Sequence, residues 1–368
     1  MLSFIQMTAF LHSIIFKNNK TMIPTKGYAA HSATTELAPF NFQRSEPKDK
    51  DVVIDILYCG ICHADIHQAK NEYGGTMYPL VPGHEIVGRI KAVGNNVSKF
   101  KPGELVGVGY FIDSCKHCED RSIGEEQYCD GGIVPTQNAK LPDGTVTKGG
   151  YSESIVVDEN HVLHISEKLN PAAVAPLLCA GITTYSPLKH WKIGHGHKVA
   201  VLGLGGLGHM AVKFAVSFGA EVTVLSGSPS KQESAMVLGA HHFIVTSDQQ
   251  QMKDASSSFH FIIDTVSAKH DYNTYLNLLK KDGIMILLGV PPEMPQLSAY
   301  HLISKRRNIA GSLIGGIPET QEMLDYCAQN NITSEVEVIA PDYINKAFER
   351  TLKGDVHYRF VIDMKKLK

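Results

Sequence analysis

The sequence predicts an α/β protein built from a doubly wound parallel sheet and a second, β-rich domain. Three observations carry that reading. After about Ala175 apolar runs alternate with amphipathic stretches, the pattern of parallel strands joined by crossover helices. From Gly27 to about Val174 short apolar runs are punctuated by Gly and Pro, with no long helical period. The final stretch is mixed and too short for a domain of its own, so it is expected to return to the first part. The expected division is an extension over 1–21, a β-rich domain over 22–174 completed by 311–368, and a parallel-sheet domain over 175–310.

In chain order, DVVIDILYCG, EIVGRIKAVG, GELVGVGYF and SESIVVDEN read as strands of the first part. In the second, KVAVLG reads as a strand, GLGHMAVKFAVSFGA as a helix and EVTVL as a strand. KQESAMVLGA then reads as a helix, HFIV and FHFIIDTV as strands, YNTYLNLLKK as a helix and GIMILLG as a strand. RFVIDM, near the end, is strand-like.

Composition narrows the partners. The chain has 368 residues, with 35 Lys and Arg against 37 Asp and Glu, so there is no basic excess to neutralise nucleic acid or an anionic membrane. A small molecule is the expected partner. Seven cysteines, three of them crowded between Cys115 and Cys129, suggest metal before disulfides and a reducing, cytoplasmic setting. The opening MLSFIQMTAFLHSIIF lacks a basic start and a small-residue cleavage site, and is short of the roughly 20 residues that span a bilayer. It reads as an extension without functional weight, with a peripheral anchor or partner helix as the alternative. Met22 is a second plausible start.

The run Val199 to Gly208 has a G-x-G-x-x-G pattern after a strand and before a helix, the context that a dinucleotide site requires. Gly203 would permit the turn and Gly205 the approach of the pyrophosphate. Gly206 and Leu207 complete the loop, and Gly208 would let helix and strand pack. The helix N-terminus would face the phosphates. An NAD site usually carries an acid at the end of the next strand; here that strand ends in Ser226, with Ser228 and Lys231 following. Hydroxyls and a cation favour the 2′-phosphate of NADP, and the same SGSPSK run would also serve as a helix cap.

Cys62 in GICHADIH, His84 and Glu85 in PGHEIVG, and Cys179 in PLLCAGIT come from three separate segments. Two thiolates and an imidazole would make an open, three-ligand zinc site of the catalytic kind if those segments meet.

These segments, together with the Cys cluster, GGYSESIVV, GSLIGG and YRFVIDM, occur in the order found in the medium-chain zinc alcohol dehydrogenases. From about Met22 onward the chain resembles the cinnamyl alcohol dehydrogenase group and the bacterial NADP-dependent aldehyde reductases. The resemblance implies a GroES-like catalytic domain and a Rossmann cofactor domain. It implies Cys62, His84 and Cys179 as catalytic zinc ligands, with Glu85 as an alternate ligand or close neighbour. Asp65 would orient His84, Thr183 and Arg359 would contact the cofactor, and His67 would pass a proton to solvent. A homodimer through the cofactor domains is implied as well, with GSLIGG and the strand before it at the edge.

The chain departs from the family at two places. Ala64 stands where the family has Thr or Ser, so the hydroxyl that starts the proton relay is missing; such groups contribute about 10²–10⁴-fold in rate. In the structural zinc motif C-x2-C-x2-C-x7-C, Cys115, Cys118 and Cys129 hold three positions and Arg121 the other. A closed structural site takes four ligands and a guanidinium cannot be one, leaving Asp120 or a water to complete it. Without metal the clustered thiols would be open to oxidation. The expected function is hydride transfer between NADPH and a primary aromatic or medium-chain aldehyde. The alternatives are a zinc-free quinone or enone reductase and a degenerate NADPH-binding protein.

Overall fold

A computed structural model of the chain describes residues 22–367 except 116, 292, 294 and 295. The opening apolar stretch lies outside the described residues. None of the described helices is long and apolar enough to cross a membrane.

Six strands form one parallel sheet, in the spatial order His242–Val245, Glu221–Ser226, Lys198–Leu202, Phe259–Asp264, Leu279–Leu287 and Asn308–Gly311. Val199, Ala200, Val201, Ile262 and Ile263 are fully buried, as expected for strands covered on both faces. Chain direction across the sheet reverses between Lys198–Leu202 and Phe259–Asp264, where Leu202 lies level with Asp264. The crevice beyond these two strand ends is where a doubly wound sheet receives a ligand.

The stretch expected to be one helix, YNTYLNLLKK, divides. Helix Tyr272–Leu276 stops early and Leu279 opens the next strand. The Leu278 carbonyl accepts the Ser258 and Phe259 N–H groups, and Leu279 pairs with Phe259 in the sheet. Sheet pairing here overrides a helical spacing of apolar residues.

The second sheet has seven strands. Val336–Ile339, Arg359–Asp363, Asp51–Gly60, Ile86–Val93, Leu105–Val108 and Leu163–His164 lie in that order, and Ser154–Asp158 adds to Asp51–Gly60. Antiparallel pairing of Val361 with Gly60 draws the chain's last strand against the end of a strand from near its beginning. That register sets Arg359 beside Ile61 and Cys62. One continuous buried cluster includes Val87, Leu105 and Leu163 of this sheet and Val199, Val201 and Ile263 of the parallel one.

Candidate metal and dinucleotide site

Three backbone exits converge in the cleft. Strand Asp51–Gly60 runs out through Ile61 to Cys62, which precedes the short helix His63–Ala69. The turn at Pro82 and Gly83 delivers His84 and Glu85 just before strand Ile86–Val93. Cys179 ends a 3₁₀ turn and starts helix Ala180–His190, whose Thr183 N–H donates to the Cys179 carbonyl at 2.9 Å. The potential ligand atoms of Cys62, His84, Glu85 and Cys179 all lie within 4.8 Å of one another.

The surroundings prepare these groups for a metal. Buried Asp65 holds His84 Nδ1 at 2.9 Å, so Nδ1–H donates and Nε2 keeps its lone pair. That Nε2 is buried without a hydrogen-bond partner, and so is Glu85 Oε2. An orphaned buried acceptor costs about 1–3 kcal/mol, which a coordinated cation would offset. The donor set of thiols and imidazole suits zinc. A hydrogen bond from Cys179, then His84 and the nearby Arg359 charge, draws the Cys62 thiol well below its usual range. The same sulfur pairing pushes Cys179 up. Burial raises the Glu85 carboxyl to about 7 although Arg359 pulls the other way.

Arg359 joins this pocket to the glycine loop. Its Nη2 pairs with Glu85 and donates to the Ile61 carbonyl at 2.8 Å. Its Cδ lies 2.7 Å from where a Cβ on Gly206 would sit. Part of the guanidinium expected at the cofactor is therefore committed to Glu85.

The loop itself has the geometry of a phosphate cradle. Gly203 adopts φ +88, a left-handed turn that favours glycine, and a Cβ on Gly208 would come within 2.1 Å of the Gly203 carbonyl. Gly205 faces open space, with nothing within 4 Å of a Cβ placed there. Helix Gly208–Ser217 begins at once behind the loop, so its N-terminus stands at the glycine turn, where an anion is favoured. Lys231 Nζ donates to the Leu204 carbonyl at 3.0 Å, and Ser226 Oγ accepts the Ser228 N–H at 3.2 Å. The glycine loop thus fits the pyrophosphate of a dinucleotide.

His67, five residues after Cys62 on helix His63–Ala69, pairs through Nδ1 with Glu72 and is partly exposed. Its ring lies 5.3 Å from that of Tyr73.

Sequence reasoning missed several participants. Gln137 Nε2 donates to Asp65 Oδ1 at 2.9 Å, and the Tyr151 hydroxyl donates to Oδ2 at 3.2 Å. Tyr110 stands edge-on to His84, with ring centres 5.3 Å apart. His209 follows the glycine motif directly. Its Nδ1 lies 3.2 Å from the Gly205 carbonyl and its Nε2 3.0 Å from Ser334 Oγ, while the ring stacks on Tyr358. Only His209 carried a sequence signal, its place at the start of the amphipathic helix.

Cys115, Cys118 and Cys129 also converge within 4.8 Å, but among the described residues no fourth His, Cys, Asp or Glu joins them, Asp120 included. Arg121 Nη1 instead donates to the Cys115 carbonyl at 3.1 Å. The residues present therefore do not fit a closed four-ligand zinc site.

Known proteins agree with this geometry. Residues 48–167 match the alcohol dehydrogenase GroES-like domain and residues 206–329 the zinc-binding dehydrogenase domain. The chain is 53% identical over 348 residues to NADP-dependent alcohol dehydrogenase C 1 of Mycolicibacterium smegmatis, covering 94% of this chain and 100% of that one. It is 52% identical to the aldehyde reductase YahK of Escherichia coli, over 93% and 99% of the two chains. A cinnamyl alcohol dehydrogenase structure from Sorghum bicolor superposes with a TM-score of 0.91 at 46% identity, covering 94% and 99%. A CAD from Helicobacter pylori complexed with NADP(H) gives 0.89 at 44%, with the same coverage. Matches of this extent, over a chain whose cysteine, histidine and glycine segments converge as described, mean that it belongs to the zinc-binding, medium-chain alcohol dehydrogenases.

Proposed function

We propose that this chain interconverts a primary aromatic or medium-chain aldehyde and its alcohol with NADP(H), using zinc held by Cys62, His84 and Cys179. The observation that carries the reading is the shared wall: Arg359 pairs with Glu85 in the metal pocket while its stem lies against Gly206 of the dinucleotide loop. Two chemistries that must meet at one carbonyl group, one at its oxygen and the other at its carbon, are thereby adjacent. The bound groups supply them, zinc as a Lewis acid toward the substrate oxygen and NADP(H) as the hydride carrier.

The chain's own residues do the rest. Asp65 fixes the His84 tautomer, and the glycine loop with the helix behind it receives the pyrophosphate. Ser226, Ser228 and Lys231 favour a 2′-phosphate by charge and hydroxyl donors. Thr183, one turn beyond Cys179, is taken to border the cofactor. His67, partly exposed and paired with Glu72, is suited to hand a proton to solvent. Ala64 supplies no hydroxyl before it, which leaves the link to His67 to a water or to another donor. Tyr110 stands edge-on to His84 and Tyr73 lies beside His67, aromatic rings next to the site that are in keeping with an aromatic substrate.

A homodimer is part of the proposal: Asn308–Gly311 is the outermost strand of the parallel sheet, and Tyr300, Ile303 and Leu313 around it are exposed. Seven free cysteines accord with a reducing, cytoplasmic setting.

The test is zinc content measured together with NADPH and NADH oxidation across an aromatic aldehyde panel. We expect turnover with NADPH, and a loss of about 10²–10³-fold or more in Cys62→Ser with NADPH binding kept. Full turnover by the metal-free variant, on quinones or enones, would establish the zinc-free reductase instead.

A further inference from the structure

The three-cysteine lobe departs from its family pattern in a way that creates a different chemistry. Cys115 and Cys118 are half-buried and Cys129 is buried, and their sulfurs share a space less than 4.8 Å across. The Cys115 N–H donates to Cys129 Sγ at 3.3 Å. Both Cys115 Sγ and Cys129 Sγ lie 3.9 Å from one point beside Gly131, so the two sulfurs flank the same spot. A disulfide needs about 2.05 Å between sulfurs, a distance that a side-chain rotation and a small loop shift can close from here. Arg121 brings a permanent positive charge to the lobe and bonds the Cys115 carbonyl. That charge opposes a second cation and stabilises a thiolate.

We propose that Cys115 and Cys129 form a reversible disulfide when the protein meets a peroxide, so that the lobe is a thiol-oxidation site in place of a closed zinc site. The Cys115 thiolate attacks the peroxide O–O bond, leaving a sulfenic acid and releasing one water once the leaving oxygen takes its proton. The Cys129 sulfur then attacks that sulfur, forming the S–S bond and releasing a second water. In sum, two thiols are oxidised and one hydrogen peroxide is reduced to two waters.

The lobe is mechanically connected. Glu126 Oε2 accepts the Ile317 N–H at 3.0 Å and the Tyr128 hydroxyl accepts the Leu313 N–H at 3.3 Å. Both anchors lie between Cys115 and Cys129 in the chain, so ring closure moves them. The segment they hold joins strand Asn308–Gly311 to helix Ile317–Asn330. Oxidation is therefore expected to speed amide exchange at Leu313 and Ile317.

The experiment treats reduced, zinc-loaded protein with about one equivalent of hydrogen peroxide, then alkylates it and maps tryptic peptides by mass spectrometry. Lys116 and Arg121 separate the three cysteines into different peptides. The expected result is a Cys115–Cys129 linked peptide that dithiothreitol releases, with Cys62 and Cys179 still alkylated once the metal is removed. Arg121→Cys, which restores the fourth thiol, is expected to take up about one further zinc per chain and to lose the peroxide response. Lobe thiols that stay free after peroxide, a Cys115–Cys118 link instead, or wild-type protein that already holds about two zinc ions per chain would each overturn the proposal.

Discussion

Replacing Asp65 by Asn would test whether the metal site is built from behind. The Asp65 carboxylate is fully buried. Its Oδ1 accepts from His84 Nδ1 at 2.9 Å, Gln137 Nε2 at 2.9 Å and the Gly83 N–H at 3.3 Å. Its Oδ2 accepts from the Cys62 N–H at 2.9 Å and the Tyr151 hydroxyl at 3.2 Å. An amide keeps the shape, removes the charge and turns one acceptor into a donor that must face other donors. The less costly orientation sets the NH₂ at Oδ2, where the Tyr151 hydroxyl can rotate to accept it. The Cys62 N–H is then unpaired, at a cost of about 1–3 kcal/mol. His84 keeps a neutral oxygen but loses its anionic partner, and such changes weaken metal binding by about 10–100-fold, or ~1.4–2.8 kcal/mol. Competition for zinc against a chromogenic chelator measures that loss directly, and circular dichroism checks that the variant is folded. A folded Asp65→Asn protein that binds zinc within about threefold of wild type would refute the reasoning, because the carboxylate would then be holding the loops and not the ligand.

Two further outcomes are expected. Ala64→Ser supplies a hydroxyl at the place where relatives carry one, and should raise kcat at neutral pH by about tenfold or more if proton hand-off limits turnover; stopped-flow rates identical to wild type would mean that the route without that hydroxyl is already sufficient. His209, pushed down to about 3 by burial and then by the Arg359 and Lys213 charges, stays neutral in the fold. Its folded value lies below the unfolded one of about 6.5, so the unfolded chain takes the extra proton and stability falls as pH drops from 6.5 toward 3. At pH 5 this single group should cost about 2 kcal/mol relative to pH 7.5. Urea unfolding of His209→Asn at both values should show a pH penalty smaller by that amount, and an equal penalty in both proteins would discard the assignment.

The parallel sheet and the glycine loop were legible because their signals are local: buried strands read as unbroken apolar runs, and the glycine spacing sits between a strand and a helix. YNTYLNLLKK misled because Leu276, Leu278 and Leu279 are all buried, and apolar spacing does not say whether the burial is against a helix face or a neighbouring strand. The short helix His63–Ala69 spans too few turns to show a period, although it carries both Asp65 and His67. Cys62, His84 and Cys179 could be named from motifs, whereas their meeting depends on sheet registers far apart in the chain. Gln137, Tyr151 and Tyr110 had no signal at all, since each acts only through a contact with a group already in the site. Arg359 shows why such residues matter. It comes from the last strand, and the Val361–Gly60 register brings it between Glu85 and Gly206. Its buried charge, costly without a partner, is compensated by Glu85. The C-terminal segment therefore does more than complete a sheet: through this one side chain it touches both the metal pocket, at Glu85, and the glycine loop, at Gly206.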